Sequence, residues 1–179
     1  IADWVGEGAN EAVCVVGFET GTAAFGYRWD DGDTVDRPGS STYVLANPTV
    51  NAGTGEGLLL TLDSDNSTFA MTQHYDDALG FGVESLEYLG HEIVSDGWFT
   101  TFPGYWWDGH DEYTNTFTGV TYAQEDPDGS FETSDLGATG RVLADGYWDA
   151  WTQEYTANGF APVNTPSVPT EPLAPVPEP

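Results

Sequence analysis

The chain has 179 residues, enough for one domain with a sizeable core. Thirty acidic residues stand against three basic ones, Arg28, Arg37 and Arg141, giving a formal charge of −27 at pH 7. That balance excludes the basic footprint a nucleic-acid partner needs, disfavours anionic lipid headgroups, and leaves no lysine for a phosphate-binding loop.

Seven Trp, nine Tyr and nine Phe are far more than a solvating acidic coil carries, so the composition predicts a folded core. Charge on this scale repels itself and favours a saline or divalent-rich setting. An acidic surface kept for solubility and a specific role for cations both remain open. Cys14 stands alone, so no internal disulfide is expected. Its neighbours Ala12, Val13, Val15 and Val16 read as a strand with a buried thiol, and an intermolecular bridge is the minor alternative. The longest apolar runs, Val13–Val16 and Leu58–Leu60, fall far short of the ~20 residues of a membrane-spanning helix. Residue 1 is Ile, and removal of a secretory signal peptide is the expectation.

In chain order, residues 11–18 and 22–29 predict a strand pair joined around Glu19-Thr20-Gly21. Alternation in the second places Ala23, Phe25, Tyr27 and Trp29 on one face, the core face, and Ala24, Gly26 and Arg28 on the other. Residues 41–45 give a weaker strand. Leu58-Leu59-Leu60-Thr61-Leu62 fits either a strand or a short helical turn. Further strands are predicted over Thr68–Tyr75, Gly82–Leu89, Trp98–Trp107, Asn115–Ala123 and Tyr147–Tyr155, each bounded by Gly, Asp, Asn or Pro. The sum is a mainly β domain over residues 1–160, an antiparallel sandwich or sheet with at most a short helix. Residues 161–179 hold seven of the eleven prolines and predict an extended polyproline tail. Such a tail is solvated by default. If ordered, it must pack on something, and a neighbouring copy is the attractive partner.

The terminal Pro175-Val176-Pro177-Glu178-Pro179 resembles the Val-Pro-Glu-Pro element of the PEP-CTERM sorting signal of Gram-negative bacteria. In that family a hydrophobic helix and a basic cluster follow, and both are missing here. Removal by an exosortase-type enzyme and a sequence that stops short both account for this. The body is similar to uncharacterised domains found ahead of such signals, through residues 3–12 (from Asp3-Trp4-Val5-Gly6), Phe25–Asp30, Gly104–Trp107 and Asp145–Trp151. The resemblance implies secretion and an extracellular or outer cell-surface address. It implies no reaction.

Candidate chemistry is sparse. His74, His91 and His110 lie 17 and 19 residues apart, which matches no local metal-ligand motif; Gly109-His110-Asp111-Glu112 is the best member of any site. Calcium prefers carboxylate oxygens, and three loops offer them: Asp30–Asp33, Asp63–Asn66, and Asp126-Pro127-Asp128-Gly129 with Glu132 nearby. Asp126, Asp128 and Glu132 are the candidate calcium ligands, set against the plainer reading of solvated turns. Carboxylates are too numerous for a glycosidase pair to stand out, no serine nucleophile elbow occurs, and the lone cysteine sits in a strand. Asn66-Ser67-Thr68 matches a glycosylation acceptor by accident of composition, and Thr165, Ser167 and Thr170 among prolines resemble a glycosylated stalk. Trp98, Trp106, Trp107, Trp148 and Trp151 serve either as core filling or as a platform for a flat ligand. Because neighbours in a strand alternate faces, Tyr105-Trp106-Trp107 predicts at least one outward ring.

The expectation is therefore a non-enzymatic structural protein that self-assembles into a homopolymer, filament or sheath. The tail residues Pro166, Val168, Pro169, Leu173 and Val176, or an edge strand, would make the contact. The alternative is an extracellular module binding a glycan, a tetrapyrrole or calcium on the face of Tyr105, Trp106, Trp107, Trp148 and Trp151, with extracellular polysaccharide as a partner. Calcium is the one candidate cofactor.

Overall fold

The computed structural model describes residues 1–95, 101–108, 113–114, 121–122, 130–133, 137–155 and 164–177. Among them strand outweighs helix by 49% to 12%, which makes the chain mainly β, with several antiparallel sheets and no closed barrel.

Strand β1 (Asp3–Gly6) precedes the hairpin β2 (Asn10–Phe18) and β3 (Gly21–Trp29). Phe18 pairs with Gly21, so the turn is the two residues Glu19 and Thr20. The predicted face holds: Ala23, Phe25, Tyr27 and Trp29 are all buried. Each large ring contributes about 1.5–3 kcal/mol by leaving water. β1 joins β3 in parallel, and the Trp4 ring lies directly on Gly26, where a Cβ would come within 2.3 Å of it. The Arg28 guanidinium sits 4.3 Å from the centre of the same ring. Only glycine permits this approach.

A short ribbon follows, β4 (Thr34–Asp36) with β5 (Thr49–Asn51), enclosing helix α1 (Thr42–Ala46). The strand predicted at 41–45 is thus a helix. Ser41 caps it by accepting from Val44 N at 3.2 Å, and Val44 alone is buried, so no alternating face required a sheet partner. Helix α2 (Gly55–Asp65) settles the Leu58–Leu62 ambiguity in favour of helix, and at three turns it is longer than expected. Thr54 caps it, accepting from Gly57 N at 3.0 Å and donating to Asn51 O at 2.7 Å. Residues 55–62 are buried on every side, so no amphipathic stripe announced it.

Strands β6 (Phe69–Asp76), β7 (Gly80–Tyr88) and β8 (His91–Val94) form an antiparallel three-stranded sheet. Then come β9 (Thr101–Asp108), the ribbon β10 (Tyr113–Thr114) with β11 (Thr121–Tyr122), β12 (Glu132–Thr133) and β13 (Trp148–Tyr155). Trp98 and most of Asn115–Ala123 lie outside the described residues.

The larger sheet runs β1-β3-β2-β13-β9-β12. The last strand among the described residues, β13, is central, parallel to β2 and antiparallel to β9. The main core fills the space between this sheet, α2 and the three-stranded sheet, where Phe25 meets Tyr88 edge-on at 4.9 Å. A smaller cluster of Val15, Ala24, Trp106, Phe131 and Ala150 covers the opposite face.

Candidate functional site

The proline-rich segment, residues 164–177, is seated on the β domain. At its base, Asn164 N donates to Glu154 Oε1 at 3.0 Å, and Asn164 Nδ2 donates to the Gln153 carbonyl at 2.6 Å. Pro166 is buried, Pro169 and Leu173 half-buried, and Val168 and Val176 exposed. Farther along, Leu173 rests on Gly21, where a Cβ would stand 2.3 Å from its Cδ1. The Ala174 carbonyl lies 2.7 Å from His91 Nε2, and His91 Nδ1 lies 2.6 Å from Thr20 Oγ1. A carbonyl only accepts, so Nε2 carries the proton and, in the neutral ring, Nδ1 accepts from the threonine hydroxyl. Val176 N then donates to the Leu89 carbonyl at 3.0 Å, with its side chain beside Gly90. The strap therefore bridges the tips of the β2–β3 and β7–β8 hairpins. Between these anchors, residues 165–173 make no hydrogen bond among the described residues. A cleft of about 480 Å³ runs beside it, lined by Gly17, Phe18, Glu19, Thr22, Thr152 and Gln153 on the body side.

Comparison with protein-family models, with curated proteins and with solved structures finds no match to this chain. The geometry of the chain itself carries its chemistry.

The second concentration of polar groups is buried under the first turn of α2. Glu56, wholly buried, takes Arg37 in a fork: Nε to Oε1 at 2.7 Å and Nη2 to Oε2 at 2.9 Å. Thr139 Oγ1 and Tyr75 Oη add hydrogen bonds to the same carboxylate, and Arg37 Nη1 reaches the Asn47 and Thr49 carbonyls. The bond to Glu56 raises the Arg37 pKa still further. Alongside, Arg141 Nε meets Asp149 Oδ1 at 3.0 Å, and Tyr105 Oη donates to Asp149 Oδ2. Burial pushes the Asp149 carboxyl above the ordinary range, against the pull of Arg141. Burial also raises Tyr105, and Asp149 adds to it. A Cβ at Gly55 would strike the Tyr105 hydroxyl, so the helix start and this network fit only because that residue is glycine. Burial raises Cys14, across the strand pair from Asp149, well above a usual thiol. Glu56, Asp149, Arg141 and Cys14 are buried between helix and sheet, and Tyr75 and Thr139 at the edge of the network are half-buried.

The expectation of an outward ring in Tyr105-Trp106-Trp107 is corrected. All three are at most 8% exposed, and Trp151 is 6% exposed. Alternation does operate, but both faces of β9 are covered. Tyr105 stacks on Trp151 at 4.5 Å on one side; Trp106 on the other donates Nε1–H to Thr152 Oγ1 at 2.7 Å. The Trp107 ring lies 5.0 Å from the Arg141 guanidinium. Trp148 is half-buried at the margin of the smaller cluster.

Of the calcium candidates, Asp126 and Asp128 lie outside the described residues, as do Gly109-His110-Asp111-Glu112, while Glu132 is exposed on β12. The other two acidic loops are tied into the fold. Asp30 accepts from Ala9 N at 2.8 Å and Asp31 from Asn10 Nδ2 at 3.1 Å. Asp63 accepts from Met71 N at 2.7 Å. Among the described residues, no group of three His, Cys, Asp or Glu is placed to hold a metal. His74 faces Glu84 at 3.4 Å, and His91 serves the strap. Sequence reasoning named Leu173 and Val176 but missed their seats. The Gly-His pair at 90–91, directly after a predicted strand, was the one available signal.

Proposed function

We propose that the chain is a non-enzymatic structural protein of the cell surface or extracellular matrix of a Gram-negative bacterium, and that it self-associates through its strap. The observation that supports this is the strap itself: an ordered, extended segment held at its two ends, with Val168 and Val176 partly exposed. Prolines fix its shape before contact, which lowers the ordering cost of a partner interaction. Of the buried carboxylates, Glu56 and Asp149 are committed to arginines and Glu154 to Thr152 and Asn164, and the exposed acids give a surface whose copies approach only when cations screen it. Calcium or another cation would act there as a screen. Export with a PEP-CTERM-type sorting element would deliver such a protein to the surface.

The alternative of a ligand-binding module gains nothing from the rings assigned to it, since four of the five are buried. Electron microscopy of the purified chain, with and without residues 165–179, tests the proposal. Ordered assemblies at high protein and salt that vanish on truncation are expected. Assemblies that survive truncation would remove the strap from the contact. Single particles under every condition, with a saturable Trp-fluorescence response to a glycan, would favour the alternative.

A further inference from the structure

We propose that the seat of the strap is an exchange site, in which residues 173–176 of one copy occupy the gap between the hairpin tips of a second copy. This rests on the self-association reading above and specifies its contact. Recognition is local on both sides. The body contributes Thr20, Gly21, Leu89, Gly90 and His91; the strap contributes Leu173, Ala174 and Val176. Two hydrogen bonds read the strap backbone, His91 Nε2–H to the Ala174 carbonyl and Val176 N–H to the Leu89 carbonyl. Two side-chain-free positions, Gly21 and Gly90, receive Leu173 and Val176. Nothing in that set requires the strap to belong to the same chain.

Release is also local. Residues 165–172 carry no hydrogen bond among the described residues, so freeing the far end leaves the Asn164 anchor intact. Pro172 and Pro177 flank the recognised segment, Pro175 lies within it, and together they keep it extended when free. Charge points the same way. The tail, residues 161–179, holds two acidic side chains, Glu171 and Glu178, against twenty-eight in residues 1–160, so it approaches a body of this acidity with less repulsion than the rest of the surface. Since both arrangements make identical contacts, their balance is set by concentration. A tethered segment competes at an effective concentration on the order of millimolar, so dilute chains stay closed and crowded chains exchange.

The geometry offers a direct trap, because a Cβ at Gly90 would stand 3.3 Å from Val176 Cβ, close to disulfide reach. One copy carrying Gly90→Cys is mixed with another carrying Val176→Cys, at about 20 µM and about 2 mM, and oxidised mildly; the double variant in one chain is the control. The expected result is closure within the double variant at low concentration, and between the mixed copies in a yield that rises with concentration. Closure in the double variant with no cross-chain product would overturn exchange. Gly90 has φ +82°, where cysteine is strained, so a second measurement stands beside the trap. A fluorescent peptide of residues 165–177 is titrated up to about 10 mM into the intact chain. A saturable isotherm, weakened about tenfold by Leu173→Ala made in the peptide alone, is expected. An isotherm that never saturates, or that Leu173→Ala in the peptide leaves unmoved, would overturn the site. Assemblies on micrographs without cross-chain closure or peptide binding would overturn exchange but leave self-association through another surface standing. Single particles throughout would remove both.

Discussion

Two of the three arginines lie inside the fold, each paired with a buried carboxylate among the described residues, in a chain with thirty acids to choose from. Removing one partner leaves the other buried and charged. Asp149→Ala is therefore expected to lower stability by about 3–5 kcal/mol in a denaturant titration, and a loss under about 1 kcal/mol would contradict a structural role for the pair. The phenols predict a pH dependence. Burial raises Tyr27 to about 12 and also raises Tyr75 and Tyr105. A phenol with a higher pKa in the fold than in the unfolded chain stabilises the fold fully below its unfolded value near 10 and loses that contribution as pH climbs through the folded one. Stability should then fall above about pH 10. The phenolate absorbance of these rings should appear together with unfolding, and a smooth early titration of all the tyrosines would argue otherwise. None of these partnerships is visible along the chain, because Arg37 and Glu56 are brought together from a ribbon and a helix.

At the level of elements, the β2–β3 hairpin was legible because aromatic residues alternate along β3 and a glycine stands at the turn, although Gly21 begins β3 and leaves a turn of two residues rather than three. Helix α2 was not, since burial on every side erased the 3.6-residue contrast that marks a surface helix. Its cap is testable. Thr54→Ala should cost about 1 kcal/mol, measured as a lower denaturation midpoint at unchanged slope. Strand β1 depends on a bare backbone beneath Trp4. Gly26→Val would drive the ring off its seat, and a red-shifted tryptophan emission with the rest of the fold intact is expected. The strand carrying Tyr105-Trp106-Trp107 teaches the converse. Its alternation is real, yet alternation tells which side a ring faces, and exposure depends on what covers that side.

For the whole molecule, charge and topology set the remaining behaviour. With a formal charge of −27, thermal stability should rise between about 10 mM and 1 M sodium chloride as the Debye length shrinks from about 30 Å to about 3 Å; a flat response would mean the acids are already compensated. The sequence by itself determined a mainly β, acidic chain, because aromatic content and residue alternation act locally. Only the tertiary structure decided that β13 enters the centre of the sheet, that the aromatic strand is covered on both faces, and that the tail lies between two hairpin tips. Those outcomes depend on contacts between residues far apart in the chain, such as His91 with Ala174, and no local pattern encodes which distant surfaces meet.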